Sequence, residues 1–112
     1  MNTILDAARK LGSSISKSDI YTDYSAKLMR IKDNTELLTR IAEFKRVQID
    51  YNRAGVSLDQ EKYVSKLFFD LCANPDAAHF LEAEKKMLTL MIEVHESLWA
   101  DCDIFIVGDY VP

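Results

Sequence analysis

A chain of 112 residues holds one ordinary domain, and its 48% hydrophobic and 29% charged residues are globular usage that excludes a disordered or collagen-like polymer. With 14 Lys plus Arg against 18 Asp plus Glu the net charge is −4, which disfavours direct nucleic-acid binding because phosphates select a basic face. Only 3 Gly and 2 Pro occur, too few for the turns of a sandwich or barrel, so composition favours an all-α fold.

The first 3.6-residue apolar period runs over about 3–16, with Ile4, Leu5, Ala8, Leu11, Gly12 and Ile15 on one face and Thr3 and Asp6 spaced as a capping box. Ser18 offers an N-cap to a second helix over 18–31, buried through Tyr21, Tyr24, Ala26, Leu28 and Ile31. With almost no linker between them, these short helices should meet at a corner. Asp33-Asn34-Thr35-Glu36 is a second capping box and opens a third helix over 34–54. Its stripe is Leu37, Leu38, Ile41, Phe44, Val47, Gln48 and Tyr51, and Gly55 is placed to end it in the left-handed conformation. Ser57-Leu58-Asp59-Gln60 restarts the chain as a fourth helix over 57–72, with Tyr63, Val64, Leu67, Phe68 and Leu71 on its buried side.

Asn74-Pro75-Asp76 combines an N-cap, a proline at the first helical position and an acid in the first turn. The fifth helix, over 75–99, would be about 36 Å long and the spine of the fold. Phe80, Met87 and Val94 repeat every seven residues, as do Glu84, Met91 and Leu98, and Leu81 and Leu88 widen the first stripe. The sequence therefore predicts two short N-terminal helices followed by an antiparallel bundle of three longer ones. Phe44, Tyr51, Leu67, Phe80, Met87, Met91 and Val94 are expected to be buried. Residues 1–100 form the domain and 101–112 a tail, in which Ile104-Phe105-Ile106-Val107 either straps onto the helices or pairs with another chain.

Catalytic spacing is largely missing. There is no glycine-rich phosphate loop, no Cys-x-x-Cys and no His-Glu-x-x-His. His79 and His95 lie on different faces of one helix and cannot converge on an ion. His95 and Cys102, seven residues apart, share a face if the helix persists, and Asp101 or Asp103 would add a carboxylate; two ligands do not make a site. No catalytic residue, metal or cofactor is expected. Cys72 reads as a small core residue. Glu36 with Arg40, Asp59 with Lys62, and Glu82 with Lys85 and Lys86 read as solvated helix faces, Lys45-Arg46 as an isolated doublet, and Tyr21 and Tyr24 as core or interface aromatics. Two cysteines, no secretory segment and no 18-residue apolar run predict a cytoplasmic protein with reduced thiols and no membrane insertion.

The order of segments carries more than any one motif. In Ile4-Leu5-Asp6 with Leu11-Gly12, Ile20 and Tyr24 with Ala26 and Leu28, Phe44 and Gln48 before Gly55, and Asn74-Pro75 with Phe80-Leu81-Glu82-Ala83-Glu84, the chain resembles the YlbF/YmcA family of small bacterial helical proteins. The resemblance covers about residues 3–98. It implies a non-enzymatic regulatory adaptor. In spore-forming Firmicutes, YlbF and YmcA associate with YaaT, and the complex assists the membrane-anchored endoribonuclease RNase Y in maturing messenger RNA, affecting competence, biofilm formation and sporulation. The YheA type of the family has no assigned role, which leaves as the alternative a self-assembling helical structural protein unrelated to RNA. The complex is associated with iron–sulfur clusters, and Cys102 is the tail cysteine that resemblance would make a ligand, although one cysteine per chain does not close a cluster. The tail from Ile104 to Pro112 departs from the family pattern.

The fifth helix carries more apolar positions than one core-facing stripe can hide. Leu88, Leu90, Met91, Ile92, Leu98 and Trp99 are therefore the expected protein interface. A homodimer is the expected arrangement, with sister YlbF/YmcA-family proteins, YaaT and RNase Y as the partners that the resemblance adds.

Overall fold

The computed structural model describes residues 2–54 and 58–102 and contains five helices: α1 (Thr3–Ser16), α2 (Asp19–Ile31), α3 (Thr35–Ala54), α4 (Leu58–Cys72) and α5 (Pro75–Trp99). Among the described residues there is no strand. The all-α expectation holds, and each helix begins and ends within one residue of its predicted span. Gly55, the Ser57 cap and the 104–107 run lie outside the described residues.

Local chemistry accounts for the helix starts. The Asn74 side chain accepts from the amides of Asp76 and Ala77 at 3.0 and 3.2 Å, ahead of Pro75, which has no amide to satisfy. Asn34 accepts from Leu37 at 3.1 Å, making it the acceptor of the Asp33-Asn34 pair. At α1 the cap is Asn2, whose oxygen accepts from Ile4 and Leu5, one residue before the predicted Thr3. Asn outcompetes Thr there because its carbonyl reaches two amides at once. Ser18 serves both sides of the α1–α2 corner: its hydroxyl accepts from the Tyr21 amide at 3.2 Å and donates to the Ile15 carbonyl at 2.6 Å. The corner is fixed by those bonds.

The core is small and lies near the middle of the molecule. Ile31, Leu37, Ile41, Phe44, Leu71, Ala77 and Phe80 form one buried cluster, with Tyr24, Leu28, Leu38, Val64, Leu67 and Leu81 packed around it. Every one of these comes from α2 to α5. The most extensive helix pair is α2 with α5, followed by α3 with α4, then α4 with α5. On α3 and α4, Phe44 meets Phe68 at 5.5 Å between ring centroids, and the Arg40 guanidinium donates to the Asp70 carbonyl at 3.3 Å. Tyr24 of α2 packs on Phe80 of α5 at 5.8 Å. The spine thus takes its first cover from a short N-terminal helix, a pairing that apolar periodicity does not encode.

Several burial expectations need correction. Met91 is exposed, as are Tyr21 and Ala26 of α2 and Tyr63 and Phe68 of α4, and Tyr51, Leu67, Met87 and Val94 are half-buried where burial was expected. Each of the α5 residues among these lies past Glu84, the carboxylate that Lys45 of α3 holds. Helix α1 contains no buried residue at all, and Ile4 is 77% exposed at the head of its apolar face. The radius of gyration is 18.0 Å, against about 13 Å for a compact chain of this length. An open outline of this kind leaves apolar side chains uncovered, and every helix carries some of them.

Candidate interaction surface

Helix α5 sets the geometry of the candidate site because it is continuous while its cover is not. In its first half, Ala77, Phe80 and Ala83 are buried, and α3 reaches across to it through an ion pair. The Lys45 ammonium donates to the Glu84 carboxylate at 2.6 Å and also sits 5.8 Å from the centre of the Phe80 ring. Glu84 is only 16% exposed, so this pair is partly desolvated and stronger than the surface pairs of the molecule, such as Glu82 with Lys86 at 3.7 Å. Sequence reasoning missed it, treating Lys45-Arg46 as a doublet. The signal was present: a carboxylate sharing a heptad position with Met91 and Leu98 requires a cation opposite.

Past Glu84 the cover of α3 and α4 loosens. A groove of ≈ 640 Å³ opens there between Phe44, Gln48, Phe68 and Leu81 on its inner side and Leu88 and Ile92 at its mouth. From this mouth to the end of the helix, Leu88, Met91, Ile92, Leu98 and Trp99 are exposed, with Ile92 at 58% and Leu98 at 60%. At 100° per residue these five side chains and His95 fall in one sector of about 120°. His95 packs on Trp99 at 5.7 Å and so belongs to the stripe rather than to a ligand set. Its place within the apolar face was not anticipated.

The expected interface residues are thus brought together with one exception. Leu90 is half-buried and faces the other way, lining a crevice with Ile20 of α2 and Glu93. The α2 helix follows α5 this far, covering the opposite side. Cys102 is a free, exposed thiol whose amide donates to the Trp99 carbonyl at 3.0 Å, and Cys72 is a free thiol, half-buried at the end of α4. His79 is exposed on the first half of α5, far along the helix from His95. Among the described residues no group of three or more His, Cys, Asp or Glu side chains is gathered as a metal site would need. Among them, too, no helix is long and apolar enough to cross a membrane.

The model of one protein family, described as control of competence regulator ComK, YlbF/YmcA, matches residues 4–100. The chain belongs to the YlbF/YmcA family. The match takes in all five helices and closes just past Trp99, so the bare stripe on α5 lies within the YlbF/YmcA region and the last twelve residues lie beyond it. The family is a regulatory one rather than a catalytic one. No curated protein and no solved structure matches the chain.

Proposed function

We propose that this YlbF/YmcA-family chain is a non-enzymatic regulatory adaptor that works by presenting the second half of α5 to other helical proteins, its own copies included. The observation that supports this reading is the stripe from Leu88 to Trp99, which continues the apolar face of a helix whose first half is core. Water disfavours an exposed apolar stripe of this length, and a protein surface is what covers one. Met91 adapts well to more than one partner, because an unbranched thioether repacks at little cost. The family's resemblance to RNase Y-assisting proteins supplies the partners: sister YlbF/YmcA proteins, YaaT, and through them RNase Y, with messenger RNA maturation as the process regulated. The place of action is the cytoplasm.

The test is co-purification from the native host with a tagged full-length chain, wild type beside Ile92→Asp. Recovery of RNase Y, YaaT or sister family members by the wild type, lost in the variant while helicity and melting temperature stay constant, is the expected result. Recovery of the chain alone would replace the adaptor by the alternative, a self-assembling helical structural protein.

A further inference from the structure

Two exposed apolar faces of this molecule leave from the same place. One is the stripe on α5 from Leu88 to Trp99; the other is the face of α1 on which Ile4, Leu5 and Ala8 are exposed and Leu11 and Ile15 half-buried. Ile20, at the start of α2, lines the crevice beside Leu90 and Glu93, so α1 departs from the fold where the cover of α5 runs out. The faces match in length, about 21 Å for the 14 residues of α1 and about 18 Å for the stripe. They also match in charge. Residues 3–17 carry Arg9, Lys10 and Lys17 against Asp6 alone, whereas residues 88–102 carry Glu93, Glu96 and Asp101 and no Lys or Arg. Arg9 borders the α1 face one turn after Leu5, and Glu96 borders the α5 face one turn after Ile92.

From these features we infer that the chain forms a two-fold dimer in which α1 of each copy packs on the second half of α5 of the other. This deepens the reading of the α5 stripe as an interaction face and rests on it. A second copy is the occupant because α1 cannot reach its own α5 cheaply: folding back breaks the Ser18 hydroxyl bonds to Ile15 and Tyr21 that hold the corner. An isologous pairing satisfies both faces of both copies at once and closes on itself rather than propagating into a filament. The large exposed side chains of the two faces leave on the order of 700 Å² uncovered per copy, so two reciprocal contacts bury about 1,400 Å², within the roughly 1,200–2,000 Å² of specific interfaces. Opposite charge across the seam sets which helix accepts which, since α1 on α1 would bring cations together and α5 on α5 would bring carboxylates together.

The experiment is analytical ultracentrifugation of the full chain as wild type, Leu5→Asp, Ile92→Asp, Arg9→Glu and Glu96→Arg, each checked for helicity and melting. The wild type should be dimeric at high micromolar concentration, and each Asp variant a folded monomer. Arg9→Glu and Glu96→Arg should each weaken the dimer about tenfold or more when alone. Mixed one to one they should restore it, because both seams of the mixed dimer again pair opposite charges. If Ile92→Asp is monomeric but Leu5→Asp remains dimeric, α1 is not the occupant and the exchange is wrong while the α5 face stands. Charge variants that are monomeric alone and stay so when mixed place α1 on its own α5, which also overturns the exchange. A wild type that is monomeric throughout overturns the dimer, leaving co-purification to judge the α5 face.

Discussion

The two halves of α5 have nearly the same chemistry and opposite fates. From Ala77 to Glu84 the helix is clamped between α2 and α3, with Phe80 touching both Tyr24 and the Lys45 ammonium. From Leu88 to Trp99 an equally apolar face is left open, with Leu88, Ile92 and Leu98 each more than half exposed. Apolar content therefore does not decide burial; the length of the covering helices does. The difference also separates two jobs, since residues in the first half hold the fold and those in the second are free to be chosen for contact.

The sharpest way to break this comparison is to make the same kind of change in each half. Phe80→Ala should cost about 3–5 kcal/mol in chemical denaturation, comparable with the whole stability of a small domain. Leu98→Ala, measured at a concentration low enough for the chain to be monomeric, should stay within about 0.5 kcal/mol. Similar losses at both sites would mean that the second half of α5 is covered within one chain.

How far the sequence carried can be judged from those same residues. Asn74, Asn34 and Ser18 announce helix starts because a cap acts on amides two or three positions away, entirely within the local chain. Phe44 and Phe80 were legible as core because each sits at the centre of its apolar stripe. What periodicity does not contain is the identity or length of the covering element. Met91 was expected inside because it repeats with Glu84 and Leu98, yet it is 41% exposed. Leu90 lies apart from the other interface candidates for the complementary reason: it lines a crevice with Ile20 of α2, and the pairing of α2 with α5 is not written in the period of α5. The bare face of α1 escaped notice since an amphipathic helix looks alike in sequence whether its cover comes from its own chain or another.

A second, smaller contrast concerns charge. Glu84→Ala removes the partly desolvated partner of Lys45 and should cost about 1–2 kcal/mol, whereas Glu82→Ala at the exposed pair with Lys86 should cost no more than about 0.5 kcal/mol. A double-mutant cycle with Lys45→Met isolates the pair itself. Equal costs at the two sites would remove the clamp from the account of why α5 is ordered in its first half.

Caps sharpen the comparison further. Asn74→Ala should destabilise the domain by about 1 kcal/mol, because α5 cannot fray at its start without opening the core. Asn2→Ala removes the same kind of acceptor, but α1 contains no fully buried residue, so in the monomer its loss should be read as faster amide exchange in α1 with the global midpoint almost unmoved. Gly12→Ala is the smallest expected effect on that midpoint. A Cβ at Gly12 meets nothing within 4 Å, so the change should stabilise α1 locally by about 0.5–1 kcal/mol, seen as slower exchange. Faster exchange, or a weakened dimer, would show that a neighbour approaches Gly12 closely.

No glycine or proline interrupts α5 between Asp76 and Trp99, and kinks sharper than a gentle bow need such a break. With the Lys45–Glu84 clamp as fulcrum, the arm out to Trp99 is about 22 Å and the arm in to Phe80 about 6 Å. A molecule that pushes Trp99 aside therefore moves Phe80 by roughly a quarter as much, with roughly four times the force. The far end of the helix can shift to suit what it meets while the aromatic packing at Tyr24 and Phe80 barely changes place, and a hard enough pull there acts on the core with mechanical advantage.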